Sequence, residues 1–238
     1  MKVLMIIPAY NEELNIVNTV KKIQSHNKKS NYMVDYIIIN DGSTDNTKEI
    51  CNSNNFNVIN LVCNLGIGGA VQTGYKYALE NEYDVAIQFD GDGQHDENYI
   101  DVLLQEIEKG NNFVIGSRFV ENLSKFKSSG ARRFGIKILS FLINLCTGQK
   151  IYDPTSGFRA ADKEVINIFA SHYPSEYPEP ESTAELLKKD FKVKEVPVEM
   201  HEREFGSSSI KPLKSIYYMF SVCLSIIIVS ISKGVKRK

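Results

Sequence analysis

The sequence predicts an α/β protein with a mostly parallel central sheet covered by helices on both faces. Three observations lead there. Short runs rich in Val and Ile recur along the first half of the chain. Stretches with apolar residues at helical spacing separate them. The first, second and fourth runs each empty into a polar cluster: "PAYNEE", "DGSTDNT" and "DGDGQ".

Taken in order, "KVLMIIP" (2–8) reads as a buried strand, and "EELNIVNTVKKI" (12–23) sets Leu14, Val17, Val20 and Ile23 on one helical face. "VDYIIIN" (34–40) is the second strand, followed by a helix over "TDNTKEICN" that Ser43 is placed to cap. "FNVINLV" (56–62) is the third, and "NLGIGGAVQTGYKYALE" is a glycine-rich loop feeding a helix. "YDVAIQFD" and "NNFVIGS" supply the fourth and fifth strands, with the helix "NYIDVLLQEIEKG" between them. The second half is less regular. "RRFGIKILSFLINLCTG" (132–148) predicts a helix, "DPTSGFRAAD" a turn-rich loop, "SHYPSEYPEPES" (171–182) a proline-punctuated loop, and "FKVKEVPVEM" one more strand.

The 238 residues, 42% hydrophobic and 24% charged, suffice for one large domain with a substantial core. A net charge of -1 gives no reason to expect nucleic acid as a partner. The four cysteines (Cys51, Cys63, Cys146, Cys223) form no C-x-x-C pair, which argues against a zinc site and a disulfide framework. The opening "MKVLMIIPAYNEE" lacks the composition of a secretory signal, so a reducing, cytoplasmic location is expected. Ile216 to Ile231 carries no charge and is followed by Lys233, Lys236, Arg237 and Lys238. It is shorter than the ~20 residues of a comfortable span. An interfacial or partner-bound helix is the first reading, with a core helix and a true span as alternatives. The expected organisation is therefore an α/β unit over residues 1–212 and a membrane- or partner-associating helix with a basic tail over 213–238.

In such sheets ligands collect beyond the carboxyl ends of the strands, where all three polar clusters fall. "QFDGDGQHDE" (88–97) concentrates the acidity. An EF-hand loop read from Asp90 needs Gly at its sixth position and Glu at its twelfth, where His95 and Asp101 stand. Two carboxylates one residue apart suit a hard divalent ion that also touches a diphosphate. An isolated D-x-D is more often a solvated turn, and it is the company of the other clusters that turns the reading toward a site. Gly66, Gly68 and Gly69 before a helix permit close backbone approach to an anion. Their spacing is neither a dinucleotide fingerprint nor a P-loop, which sets dehydrogenases and ATPases aside.

Six motifs in order, "IIPAYNEE", "NDGSTDNT", "GIGGAVQTGYKYA", "DGDGQH", "GSRF" and "DPTSGFRA", resemble a family 2 glycosyltransferase of GT-A fold over roughly residues 1 to 210. "DPTSGFRA" and the apolar C-terminal stretch are similar to enzymes that load a sugar onto a polyprenyl phosphate, the dolichyl-phosphate mannose synthases and bacterial undecaprenyl-phosphate sugar transferases. The resemblance implies a nucleotide pocket of Pro8, Tyr10, Glu12, Asp41, Gly68, Asp90 and Gly91, with Tyr10 beside the base. It implies Mg²⁺ or Mn²⁺ held by Asp90, Asp92 and Gln94. Arg118, with Arg132 or Arg133, would meet the acceptor phosphate through a guanidinium fork. Arg203 in "HEREFG" would close over the diphosphate as a lid. Arg159 would meet the acceptor or brace its loop, and His95 would touch the acceptor or only the turn.

A phosphate acceptor is already anionic and needs cations and alignment, whereas a hydroxyl acceptor needs a general base. "YPEPES" offers Glu179 and Glu181 for that base, and Glu181 is taken with Asp92, Arg118 and Arg203 as the catalytic set. The expectation is a metal-dependent, inverting transfer of one sugar from a nucleotide sugar, UDP-linked by preference, to undecaprenyl phosphate. It would act at the cytoplasmic face of the membrane, anchored weakly or through a small membrane protein. The rivals are a saccharide hydroxyl as acceptor and a sugar-nucleotide-binding regulatory subunit. A nucleotidyltransferase ranks last, since "PAYNEE" is acidic where that class carries a basic glycine-rich loop.

Overall fold

The computed structural model describes residues 1–120, 130–176, 178–201 and 212–231, without the side chains of 131, 132 and 212–218. Among the described residues the strands are β1 (Val3–Ala9), β2 (Val34–Asn40), β3 (Val58–Asn60), β4 (Val85–Gln88), β5 (Phe113–Ser117), β6 (Arg159–Asp162) and β7 (Val193–Pro197). They form one sheet in the order β3-β2-β1-β4-β6-β5-β7. Every pairing is parallel except the two made by β6, which runs antiparallel to β4 and β5.

The helices are α1 (Ile16–Lys29), α2 (Thr47–Ser53), α3 (Gly66–Glu80), α4 (Ile100–Glu108), α5 (Gly130–Thr147), α6 (Lys163–Ser171), α7 (Pro178–Lys188) and α8 (Pro212–Ile231). The period of two along β1 assigns them to faces. Leu4 and Ile6 enter one core with Val71 and Tyr75 of α3, Leu139 of α5, Ile166 of α6, Leu186 of α7 and Ile226 of α8. Val3, Met5 and Ile7 enter the other with Val20 and Ile23 of α1, Cys51 of α2 and Leu103 of α4. The expected helix-covered parallel sheet is thus present.

Three local expectations are corrected. "DPTSGFRAAD" ends in β6, whose fully buried Arg-Ala-Ala lacks both the alternation and the β-branched residues that mark a strand. "YPEPES" opens α7 rather than continuing a loop. Pro178 and Pro180 fall in the first turn, where the missing N–H groups have no helical partner to lose. Ser43 does not cap α2: its Oγ accepts the Asn11 N–H at 3.0 Å, and Asp45 Oδ1 accepts the Thr47 N–H at 2.9 Å.

The chain order places β2 and β3 on one side of β1 and β4 on the other, so the topological switch point lies between β1 and β4. Their paired residues end at Ile6 and Gln88. Pro8, with no N–H to give a ladder, stands just past that point, where sheets of this kind form the crevice that takes a ligand.

Candidate active site

The rim of the crevice is stitched together by the polar turns. Asn11, at φ 56°, accepts the Thr44 N–H at 2.8 Å, and the Glu12 N–H donates to Thr47 Oγ1 at 2.9 Å. Glu12 Oε2 accepts from Asn15 Nδ2 at 2.7 Å. Tyr10 stands 45% exposed at the mouth, open to stack on a planar ligand. Asp41 is buried and accepts the Leu65 N–H at 2.7 Å, which ties β2 to the start of α3. Gly91 lies against β1, its N–H on Pro8 O at 3.3 Å and its carbonyl accepting from Thr19 Oγ1 at 3.0 Å.

Gly68 has another use than a pocket glycine. Its N–H donates to Ser175 O, and a Cβ there would stand 2.2 Å from Pro174 O, so its bareness serves packing of the 174–175 loop.

The acidic turn after β4 is held on several sides. Asp90 Oδ1 accepts from Gln88 Nε2 at 3.1 Å. The Asp90 N–H donates to His95 Nδ1 at 3.2 Å, which leaves the ring proton on Nε2, 3.6 Å from Asp90 Oδ2. Burial holds His95 below the ordinary imidazole range, against the pull of Asp90 and Asp92. Its ring stacks on Phe158 at 4.9 Å. His95 therefore belongs to the turn, as a neutral ring that accepts the Asp90 N–H and lies beside its carboxylate. Asp92 Oδ1 accepts the Gln94 N–H at 3.1 Å, and Lys22 Nζ donates to Gly93 O at 2.6 Å. Gln94 pairs with His201 through its carbonyl at 2.9 Å, beside the antiparallel bridge of His95 and Met200.

Among the described residues no group of three or more His, Cys, Asp or Glu is arranged to hold a metal. Asp90, Asp92 and Gln94 offer hard oxygen donors only, a set that suits Mg²⁺ or Mn²⁺ when ligand phosphate and water complete the shell.

Three residues foreseen for the acceptor side occupy places of their own. Arg118 is 5% exposed, with its fork on Asp153: Nε to Oδ2 and Nη2 to Oδ1, both 2.7 Å, and Nη2 also on Thr155 Oγ1 at 3.0 Å. The edge expected for a phosphate is thus taken by a carboxylate, and Arg118 braces "DPTSGFR" close to Asp90. Arg159, fully buried, donates to the main-chain carbonyls of Pro154 and Glu179 at 2.8 Å and to that of Ser156. Arg133 lies exposed at the start of α5. The side chain of Arg132, and Arg203, fall outside the described residues.

The carboxylate facing the acidic turn is Glu179, not Glu181. Burial raises the Glu179 carboxyl, Arg159 pulls it down, Asp90 raises it and the Gln88 amide steadies it. Glu181 is raised by burial too, but it bonds Ser225 of α8 and lies near Glu185 and His172. Helical phase carries the reason: two residues apart, the two side chains point about 200° apart. Gly157 closes the arrangement. A Cβ there would stand 2.6 Å from Asp90 Oδ2 and 3.0 Å from Gln88 Nε2, so β6 enters the site with no side chain in the way.

A mostly parallel seven-stranded sheet with acidic and amide side chains gathered at its switch point defines an α/β protein with a polar site at the carboxyl ends of its strands. The model of glycosyl transferase family 2 matches residues 5–169, and the chain belongs to that family. It is similar to the UDP-N-acetylglucosamine–dolichyl-phosphate N-acetylglucosaminyltransferase of Methanococcus voltae, with 35% identity over 85% of this chain and 86% of that protein. The polyprenol monophosphomannose synthase of Mycolicibacterium smegmatis is 27% identical over 93% of this chain and 85% of its own. The undecaprenyl-phosphate mannosyltransferase of Micrococcus luteus is 28% identical over 88% of both. Among solved structures, glucosyl-3-phosphoglycerate synthase of Mycobacterium tuberculosis, with Mn²⁺, UDP-glucose and phosphoglyceric acid, superposes with a TM-score of 0.69. That match is 17% identical and covers 96% of this chain and 79% of the other, a likeness of fold. The chain is a glycosyltransferase.

Proposed function

We propose that the enzyme moves one sugar from a nucleotide sugar, UDP-linked by preference, to a polyprenyl phosphate at a membrane surface. The observation that carries this reading is the fixed Asp90: a carboxylate held by Gln88 and backed by neutral His95 at the switch point, with Gly157 packed so closely that a Cβ there would stand 2.6 Å from it. The relatives named above act on dolichyl, polyprenol or undecaprenyl phosphate, which supports the acceptor class.

Asp90, Asp92 and Gln94 would hold the divalent ion, which when bound offsets charge developing on the leaving diphosphate. Tyr10 would stack on the base, and Asp41 and Glu12 would fix the nucleoside by accepting hydrogen bonds. The acceptor phosphate carries its own charge, so this chain's task is to align it for one in-line displacement with inversion. Arg118 and Arg159 would hold the acceptor loop, while Arg132, Arg133 and Arg203 remain candidates for direct phosphate contact.

Glu179 favours a second reading, transfer to a saccharide hydroxyl, because a partly buried carboxyl raised above its ordinary range near Asp90 suits a general base. The test is labelled sugar transfer from UDP- and GDP-sugars into extractable polyprenyl phosphate, beside Asp92→Asn and EDTA. Lipid label that vanishes in both controls supports the first reading. Label in a soluble glycan, lost in Glu179→Gln and kept in Glu181→Gln, supports the second.

A further inference from the structure

One face of α1 holds the backbone of the acidic turn. Thr19, Lys22 and His26 stand at i, i+3 and i+7, in one row along the helix. The row meets the chain beyond β4 in order. Thr19 Oγ1 donates to Gly91 O at 3.0 Å. Lys22 Nζ donates to Gly93 O at 2.6 Å and to His95 O at 3.2 Å. His26 Nε2 lies 2.6 Å from Asp101 Oδ1 at the start of α4, and the same oxygen accepts from Ser30 Oγ at 2.7 Å.

The carbonyls taken from α1 alternate with the side chains that offer oxygen to an ion. The Gly91 carbonyl belongs to the peptide group entering Asp92, and the Gly93 carbonyl to the one entering Gln94. The peptide leaving Gln94 is held from elsewhere, its carbonyl accepting the His201 N–H at 2.9 Å. Gly93 between them has φ 76°, a left-handed shape that suits glycine.

Lys22 is half-buried, and its ammonium has N–H groups enough to hold both carbonyls at once. Such charge-assisted bonds are about twice as strong as neutral ones. As a charge alone, a cation beside this turn opposes a divalent ion. What it supplies is order in the backbone that carries the ligands, the task of groups that stand behind a metal's own donors.

We infer that Lys22 is a positioning residue for the divalent ion. With Thr19 it presets the turn, so that Asp92 and Gln94 stand ready, and it raises ion affinity in spite of its own charge. This deepens the proposed function and rests on an ion at Asp90, Asp92 and Gln94.

The probe is Mn²⁺ with UDP on the full chain, read from loss of the free-ion electron paramagnetic resonance signal. Each variant is measured at a temperature where circular dichroism finds it folded. Lys22→Met should weaken Mn²⁺ binding about tenfold or more, the range for losing a group that orients metal ligands. Lys22→Arg keeps N–H donors and should bind more tightly than Lys22→Met. Lys21→Met, at the exposed neighbouring lysine, should bind as the parent does. Thr19→Val keeps the buried shape and loses the donor to Gly91, so it should weaken binding by less than Lys22→Met.

A parent that binds no Mn²⁺, or an Asp92→Asn that binds it unchanged, places the fault in the ion site, and the inference falls with it. With that site upheld, parental or tighter binding by Lys22→Met overturns the inference alone. Equal weakening in Lys21→Met does the same. If Lys22→Met does not fold, Thr19→Val decides, and parental binding there overturns the inference.

Discussion

The parallel strands β3, β2, β1 and β4 hand their polar turns to one another through short side-chain bonds to backbone, such as Asn11 to Thr44 and Asp41 to Leu65. The neighbouring β6, β5 and β7 are held differently, by two buried guanidinium groups, Arg118 on Asp153 and Arg159 on a set of carbonyls. The first arrangement fixes ligand-facing oxygens with backbone N–H groups, the buried Asp41 by that of Leu65 and the buried Asp92 by that of Gln94. The second uses charge to pin a loop. Under the proposed function, the first part receives the donor and the second holds the acceptor against it.

The comparison can be broken most severely in the acidic turn. Asp92→Asn should lower transfer by about a thousandfold, the loss expected when several kcal/mol of metal-borne charge stabilisation goes, with little change in melting temperature. Removing metal from the parent should match it in the same assay. Asp153→Asn should do the reverse. Leaving Arg118 buried without its carboxylate should cost about 3–5 kcal/mol of stability in urea titrations, and calorimetry should find donor affinity changed far less than stability.

Gly157→Ala probes the seam between the two parts. The added methyl would stand 2.6 Å from Asp90 Oδ2 and 3.0 Å from Gln88 Nε2, so the held carboxylate and its amide partner must both shift, at a cost of about 1–3 kcal/mol of stability in urea titrations. Donor affinity in the presence of Mn²⁺ should still fall about tenfold, as a carboxylate displaced by ~1 Å no longer fits its ligand.

The smallest effect belongs to Glu179. Its carboxyl, raised above the ordinary 4.5, binds its proton more tightly folded than unfolded. That contribution is whole below pH 4.5 and is lost as pH rises through the raised value. Glu179→Gln lacks this loss. Its melting temperature should exceed the parent's at neutral pH, and the gap should close near pH 4.5.

What was legible in the sequence follows the same division. The β-branched runs of β1, β2, β4 and β5 announced themselves, and so did the turns at their ends, because strand and turn chemistry are local. β6 was hidden, since Arg-Ala-Ala becomes a strand only when slotted between β4 and β5. Glu179 and Glu181 both stood in view, but only the phase of α7 tells which one faces Asp90. Arg118 was recognised as important, yet its partner lies 35 residues away and no spacing rule names Asp153. Gly68 read as a ligand-cradling glycine, although the backbone it admits is the protein's own.

The antiparallel β6 has one more effect. Ile115 pairs with Arg159, so everything from residue 116 to 158 is an excursion whose two ends are joined at the root. Lengthening a closed loop is cheap, about 0.6 kcal/mol per doubling. Insertions in its exposed stretches should therefore leave the ladder in register, while Leu139, Ile143 and Phe158, which enter the core, tie the rest to the fold. Under the proposed function, acceptor preference could then change through that outer part while the donor-binding frame stays as it is.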